Sequence, residues 1–103
     1  MFINIQSIHF DADHRLLELI NMKLSKFEKY FDRIEEVEVY LKLENASAQI
    51  KDKTVEIRVK IPGNTFFAKE TTKTFEDSLE VAEESIRKQL TRHKDKLRGR
   101  NPG

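Results

Sequence analysis

The run SIRKQLTRHKDKLRGR, residues 85–100, carries Arg87, Lys88, Arg92, Lys94, Lys96, Arg98 and Arg100 against the single acid Asp95. The preceding ETTKTFEDSLEVAEE inverts that balance, with Glu70, Glu76, Asp77, Glu80, Glu83 and Glu84 against Lys73. An earlier series, Lys23, Lys26 and Lys29, repeats at three-residue steps. Fixed cations at helical spacing can hold a row of phosphates, and each phosphate neutralised releases condensed counterions. The whole chain carries only +1 at pH 7, so the placement of charge, not its total, is what could point to nucleic acid.

At about 100° per residue, Lys88, Arg92 and Lys96 form one row on the later helix, and Arg87, Lys94 and Arg98 form another on the opposite flank of its apolar stripe. On the earlier helix Arg15, Lys26, Lys29 and Arg33 fall roughly opposite the stripe, with Lys23 beside them and Glu18, Glu28 and Asp32 toward one flank. Acids near a helix start and bases near its end also complement the macrodipole, each worth about 0.3–1 kcal/mol. That accounts for the acid-first, base-last order of the later helix. It does not account for Lys23, Lys26 and Lys29. On charge alone, a phosphate-binding face and a merely solvated face are evenly matched.

Other chemistry has weaker support. His93 falls on an apolar stripe, which favours a packed ring over a ligand. His9 and His14 lack metal-ligand spacing. With 3 glycines there is no Gly-rich phosphate loop, and with 0 cysteines there is neither a disulfide nor a thiolate zinc site. No isolated acid pair stands out. Tyr40 and Phe67 could form a stacking platform for bases on an open sheet face, although ordinary cross-strand pairing explains them as well.

The elements that must position these residues follow from hydrophobic periodicity. A chain of 103 residues with 38% hydrophobic and 36% charged residues fits one domain with one small core. No stretch nears the roughly 18 apolar residues of a membrane span, and MFINIQ lacks a basic leader. A soluble cytoplasmic protein is expected. Ile3 and Ile5 mark a strand within Met1–Phe10, with a bulge or an end over Ser7–Phe10. Asp11 and Asp13 are N-cap candidates. Leu17, Ile20, Leu24, Phe27 and Phe31 mark one helix ending near Asp32. Val37, Val39, Leu41 and Leu43 form a second strand, and Val55, Ile57, Val59 and Ile61 a third. ENASAQIKDK between them reads as a loop. Pro62-Gly63 fits the centre of a type II turn, with a return strand through Phe66 and Ala68. Thr74 and Asp77 resemble a capping box. Phe75, Leu79, Ala82, Ile86, Leu90 and Leu97 mark the last helix, with Gly99 as its stop. The expected class is α+β, in the order β-α-β-β-β-α: a four-stranded sheet with two helices on one face.

KLSKFEKYFDRIEEVEVYLKLE, the PG turn, TFED and KQLTRHKDKL together resemble the ribosome hibernation promoting factor family, which includes ribosome-associated inhibitor A. The likeness spans essentially the whole chain. It implies a double-stranded-RNA-binding-domain-like fold, no catalysis and no cofactor or metal. It also implies a partner, the small ribosomal subunit, bound at the mRNA/tRNA channel through 16S rRNA and neighbouring ribosomal proteins. Translation would be inhibited in stationary phase or stress. Carried onto matching positions, the implied RNA contacts are Lys23, Lys26, Lys29, Lys88, Arg92 and Lys96. Ser85 stands where the family often has lysine, and Glu76 where an aromatic is common. The reading further expects a single ribosome-binding domain over 1–98, a flexible tail over 99–103 without the extra domain of long members, a monomer off the ribosome, and no membrane or small-molecule partner. The rival readings are a general double-stranded-RNA-binding module and a protein-binding adaptor that uses the open sheet face.

Overall fold

A computed structural model describes residues 1–45 and 51–99. Its elements are β1 (Phe2–Ile8), α1 (His14–Leu24), α2 (Phe27–Tyr30), β2 (Glu36–Asn45), β3 (Lys51–Ile61), β4 (Asn64–Thr72) and α3 (Phe75–Gly99). The sheet order is β1-β2-β3-β4. β1 runs parallel to β2, and β2, β3 and β4 form an antiparallel meander. The expected α+β architecture holds.

Period-two alternation puts Val37, Val39 and Leu41 of β2, Val55, Ile57, Val59 and Ile61 of β3, and Ala68 of β4 on one buried face. Leu16, Ile20, Leu24, Phe27 and Phe31 cover part of it, and Leu79, Ala82, Ile86 and Leu90 of α3 cover the rest. Burying a side chain of this size is worth about 1.5–3 kcal/mol.

β1 ends at Ile8 because His9 takes a left-handed φ of 65°, which no strand continues. Asp13 then caps α1, its carboxylate accepting from the Arg15 amide at 3.0 Å. The first helix is not continuous. Ser25 Oγ donates back to the Asn21 carbonyl, at 2.5 Å, and Lys26 N–H bonds the carbonyl of Lys23, three residues back rather than four. Such back-bonding bends a helix, and the tightened turn separates α1 from α2. Leu16, 7% exposed, takes the core position expected of Leu17, which is only partly buried.

The expected loop ENASAQIKDK is shorter than its composition implied. Glu44 and Asn45 extend β2, Lys51 to Lys53 extend β3, and Glu44 pairs in register with Asp52. Residues 46–50 lie outside the described residues. Pro62-Gly63 forms the β3–β4 turn, with Gly63 at φ 79° as a type II turn demands of its third residue.

Thr74 caps α3, its hydroxyl accepting from the Asp77 amide at 3.0 Å. Ser78, fully buried, donates to the Lys53 carbonyl at 2.6 Å and accepts from the Thr72 amide at 2.9 Å. The start of α3 is thereby tied to the ends of β3 and β4. Its other end is looser: Leu97, expected in the core, is 57% exposed. Gly99, the expected stop, still belongs to α3, and residues 100–103 of the expected tail lie outside the described residues.

Candidate nucleic-acid interface

Three contacts fix how the helices lie. Arg15 shares a hollow with Phe75 and Glu76, Lys23 Nζ approaches Glu83 at 4.0 Å, and the Phe31 ring meets His93 edge-on at 5.8 Å. The numbers rise together, so the α1–α2 segment and α3 run side by side in the same direction. Their C-terminal ends therefore lie at the same end of the domain. Two negative macrodipole ends meet there, which favours cations. Lys26, Lys29 and Arg33 arrive from one side, and Arg87, Lys88, Arg92, Lys94 and Lys96 from the other.

The six expected contacts divide into three groups. Lys26 and Lys29 are exposed and make no ion pair among the described residues. Lys29 borders a cleft of about 460 Å³ between α2 and α3, shared with Arg33, Tyr30, Lys94 and Leu97, and also with Glu28 and Asp32. Lys23 is different. Its side chain is only 27% exposed and is held by Glu83. Lys88 points outward but shares Glu84 with Arg87, at 3.4 Å and 3.9 Å. Arg92 and Lys96 are exposed, make no ion pair among the described residues, and turn toward β4, where both border a hollow with Asn64 and Phe66.

The two rows of α3 consequently serve different surfaces. Gln89 Nε2 donates to the Phe67 carbonyl at 3.0 Å, which orients the Lys88–Arg92–Lys96 side toward β4. Lys94 faces α2 instead. Lys94 and Arg33 thus join the basic surface, although the resemblance had singled out neither. The helical wheel already separated Lys94 from the Lys88 row, but it did not say which flank would meet the neighbouring helix.

Seen end to end, α3 has an acidic half, Glu76 to Glu84, and a basic half. At 25 residues it spans about 37 Å. His93 packs between Phe31 and Phe66, with centroid distances of 5.8 and 5.5 Å, as its place on the stripe predicts. His14 pairs with Glu18 at 2.6 Å. Among the described residues no group of three His, Cys, Asp or Glu could hold a metal ion, and no helix is long and apolar enough to cross a membrane.

The open sheet face has its own pairings. Tyr40 donates to Glu38 at 3.0 Å, and that hydrogen bond, followed by partial burial, raises its pKa above the ordinary 10.0. Lys42 binds Glu56 at 2.7 Å, which raises its pKa above 10.5. The Arg58 guanidinium lies over the Phe67 ring, 5.8 Å from its centroid. Tyr40 and Phe67 stand on β2 and β4 with β3 between them, so they form no continuous stacking platform. Tyr40 is engaged along its own strand by Glu38, and Phe67 across strands by Arg58.

Comparison with known proteins bears on the family and the fold. Residues 3–98 match the family described as Sigma 54 modulation protein / S30EA ribosomal protein. The ribosome hibernation promoting factor of Salmonella typhimurium is 32% identical over 98 residues, covering 95% of this chain and 98% of the relative. That of Escherichia coli K12 is 31% identical over the same coverage, and that of Pseudomonas putida 27% identical, covering 93% and 89%. Two solved structures share the fold. A ribosomal subunit interface protein from Coxiella burnetii superposes with a TM-score of 0.81 at 22% identity, covering 91% of this chain and 98% of its own. The N-terminal domain of Thermus thermophilus Protein Y gives 0.73 at 18%, covering 89% and 94%. The chain belongs to the Sigma 54 modulation protein / S30EA ribosomal protein family.

Proposed function

We propose that this protein is a ribosome hibernation factor: a rigid, non-catalytic domain over residues 1–98 that binds the small ribosomal subunit at the mRNA/tRNA channel and inhibits translation in stationary phase or stress. It acts in the cytoplasm and is a monomer off the ribosome. Lys23, Lys26, Lys29, Lys88, Arg92 and Lys96 contact phosphates of 16S rRNA. The observation that carries the reading is the gathering of exposed cations from two parallel helices at one end of the domain, in a chain that resembles hibernation factors over nearly its full length. Affinity comes mostly from charge, and selectivity from the shape of the pocket, because phosphate contacts carry little sequence information.

A general duplex binder is the weaker reading, since the curated relatives bear the name of hibernation factors. A protein adaptor on the open sheet face is weaker too, with Tyr40 and Phe67 already engaged by Glu38 and Arg58. The test is competition for vacant small subunits between this protein and initiator tRNA. Displacement of the tRNA at stoichiometric protein supports the reading. Simultaneous binding of both at saturation contradicts it.

A further inference from the structure

We propose that the hollow between α3 and the start of β4 binds one unstacked nucleotide of an RNA strand and reads its base. The hollow measures about 210 Å³ and is bounded by Asn64, Phe66, Gln89, Arg92, His93 and Lys96. No acid borders it. Pockets for whole drug-sized ligands run to about 300–1,000 Å³, so this one suits a single base with its phosphates left outside.

Its two amides are already oriented. Gln89 Nε2 donates both of its protons, to the Phe67 carbonyl at 3.0 Å and to Ser85 Oγ at 3.2 Å, so its Oε1 remains as an acceptor. Asn64 Oδ1 accepts from the Thr65 amide at 2.8 Å, so its Nδ2 remains as a donor. An acceptor and a donor held in place can distinguish base edges, which present different donor and acceptor patterns. Phe66 and His93, ring centroids 5.5 Å apart, supply the aromatic surface on which an unstacked base rests. Arg92 and Lys96 form no ion pair among the described residues and supply the charge for the flanking phosphates.

The strand has a path onward. A neighbouring depression of about 350 Å³ shares Gln89 and Arg92 and adds Lys88, which a phosphate must draw away from Glu84 on the same rim. Lys96, Arg92 and Lys88 thus step along α3 at intervals of about 6 Å. The inference rests on the reading of α3 as RNA-facing, and adds to it a choice among bases that lysine-to-phosphate contacts do not make.

The experiment titrates the full-length, isotope-labelled protein with four single-stranded RNA tetranucleotides, each of one base, and with nucleoside monophosphates and inorganic phosphate. NMR shifts are followed at the side-chain amides of Asn64 and Gln89 and at the His93 ring. One tetranucleotide should bind at least about fivefold more tightly than the weakest. Asn64→Ala should remove that preference and leave the salt dependence unchanged. Arg92→Gln should weaken all four and reduce the salt slope by about 0.7. Four equal affinities, or preference without shifts at Asn64, Gln89 and His93, would overturn base reading in this hollow. Monophosphates binding as tightly as tetranucleotides would overturn the RNA strand as the ligand. Co-sedimentation of the same wild-type protein with ribosomes separates the two ideas. Base-blind binding beside intact ribosome binding sinks this inference alone, whereas no ribosome binding sinks the proposed function.

Discussion

Replacing Lys26, Lys29, Lys88 and Arg92 together with alanine should abolish most ribosome binding and leave the domain folded. All four side chains are exposed. Lys26, Lys29 and Arg92 spend their charge on no internal partner among the described residues, so each is free for a phosphate. On the duplex scale each contact contributes about 0.9 to the slope of log K against log salt. At 0.1 M salt that corresponds to about eightfold per contact. Three full contacts give about 500-fold and four about 4,000-fold. Lys88 must first leave Glu84 at 3.4 Å, so the loss should fall between those limits. The salt slope should flatten by about 2.7–3.6. Stability has little to lose. The Lys88–Glu84 pair is worth about 0.3–0.5 kcal/mol, and only Lys29, in the last turn of α2, contributes a helix-end charge term. A net change within about 1 kcal/mol moves the melting temperature by no more than about 8 °C. Ribosome binding is measured at four or more salt concentrations beside thermal melting. A normal melt with full binding and an unchanged slope would refute the assignment of the RNA contact to these helices, and would turn attention to the open sheet face.

Leu24→Ala and Ile86→Ala, at fully buried positions, should each cost about 2–5 kcal/mol in a urea melt, and a loss below 1 kcal/mol would contradict the packing described. Lys23→Ala should weaken ribosome binding less than Lys26→Ala at the same salt, because Glu83 already holds Lys23; the reverse order in a filter-binding assay would refute that pairing. In a Tyr30→Phe background, ultraviolet titration should show Tyr40 ionising above pH 10.0, and Glu38→Gln should bring it back toward that value. Its folded pKa is raised, so the stability it contributes is complete below pH 10 and disappears as pH rises through the folded value. Lys42, raised by Glu56, follows the same sign above pH 10.5.

Much of the fold is legible in the sequence because alternation and helical stripes are direct records of burial. Val37 to Leu41 and Val55 to Ile61 define the two central strands without ambiguity. The ends of those strands leave no such record. Glu44, Asp52 and Lys53 are polar on either face, and their strand structure comes from pairing and from ion pairs such as Lys73 with Asp52 at 2.9 Å. Leu16 and Leu17 are both apolar, so a stripe through Ile20 admits either one. The break after Leu24 hangs on one serine hydroxyl bonding back to Asn21, which composition does not reveal.

The basic surface is legible to the level of rows and no further. A helical wheel gives the angle between Lys88 and Lys94 but not which of them faces α2. That choice is made by Gln89 reaching Phe67 and by Phe31 meeting His93, contacts across about 20 or more residues of sequence. The approach of Lys23 to Glu83 is likewise tertiary: the wheel sets Lys23 beside the outward row but does not say what it meets.

Whether this domain docks on ribosomes through charge is decided by sedimentation. Purified protein is mixed with vacant ribosomes, or with isolated small subunits, and run on sucrose gradients at rising salt. The protein should co-sediment with the small subunit and with whole ribosomes at low salt, and be released at moderate salt. Protein that remains at the top of a low-salt gradient, with vacant ribosomes in excess, would contradict it.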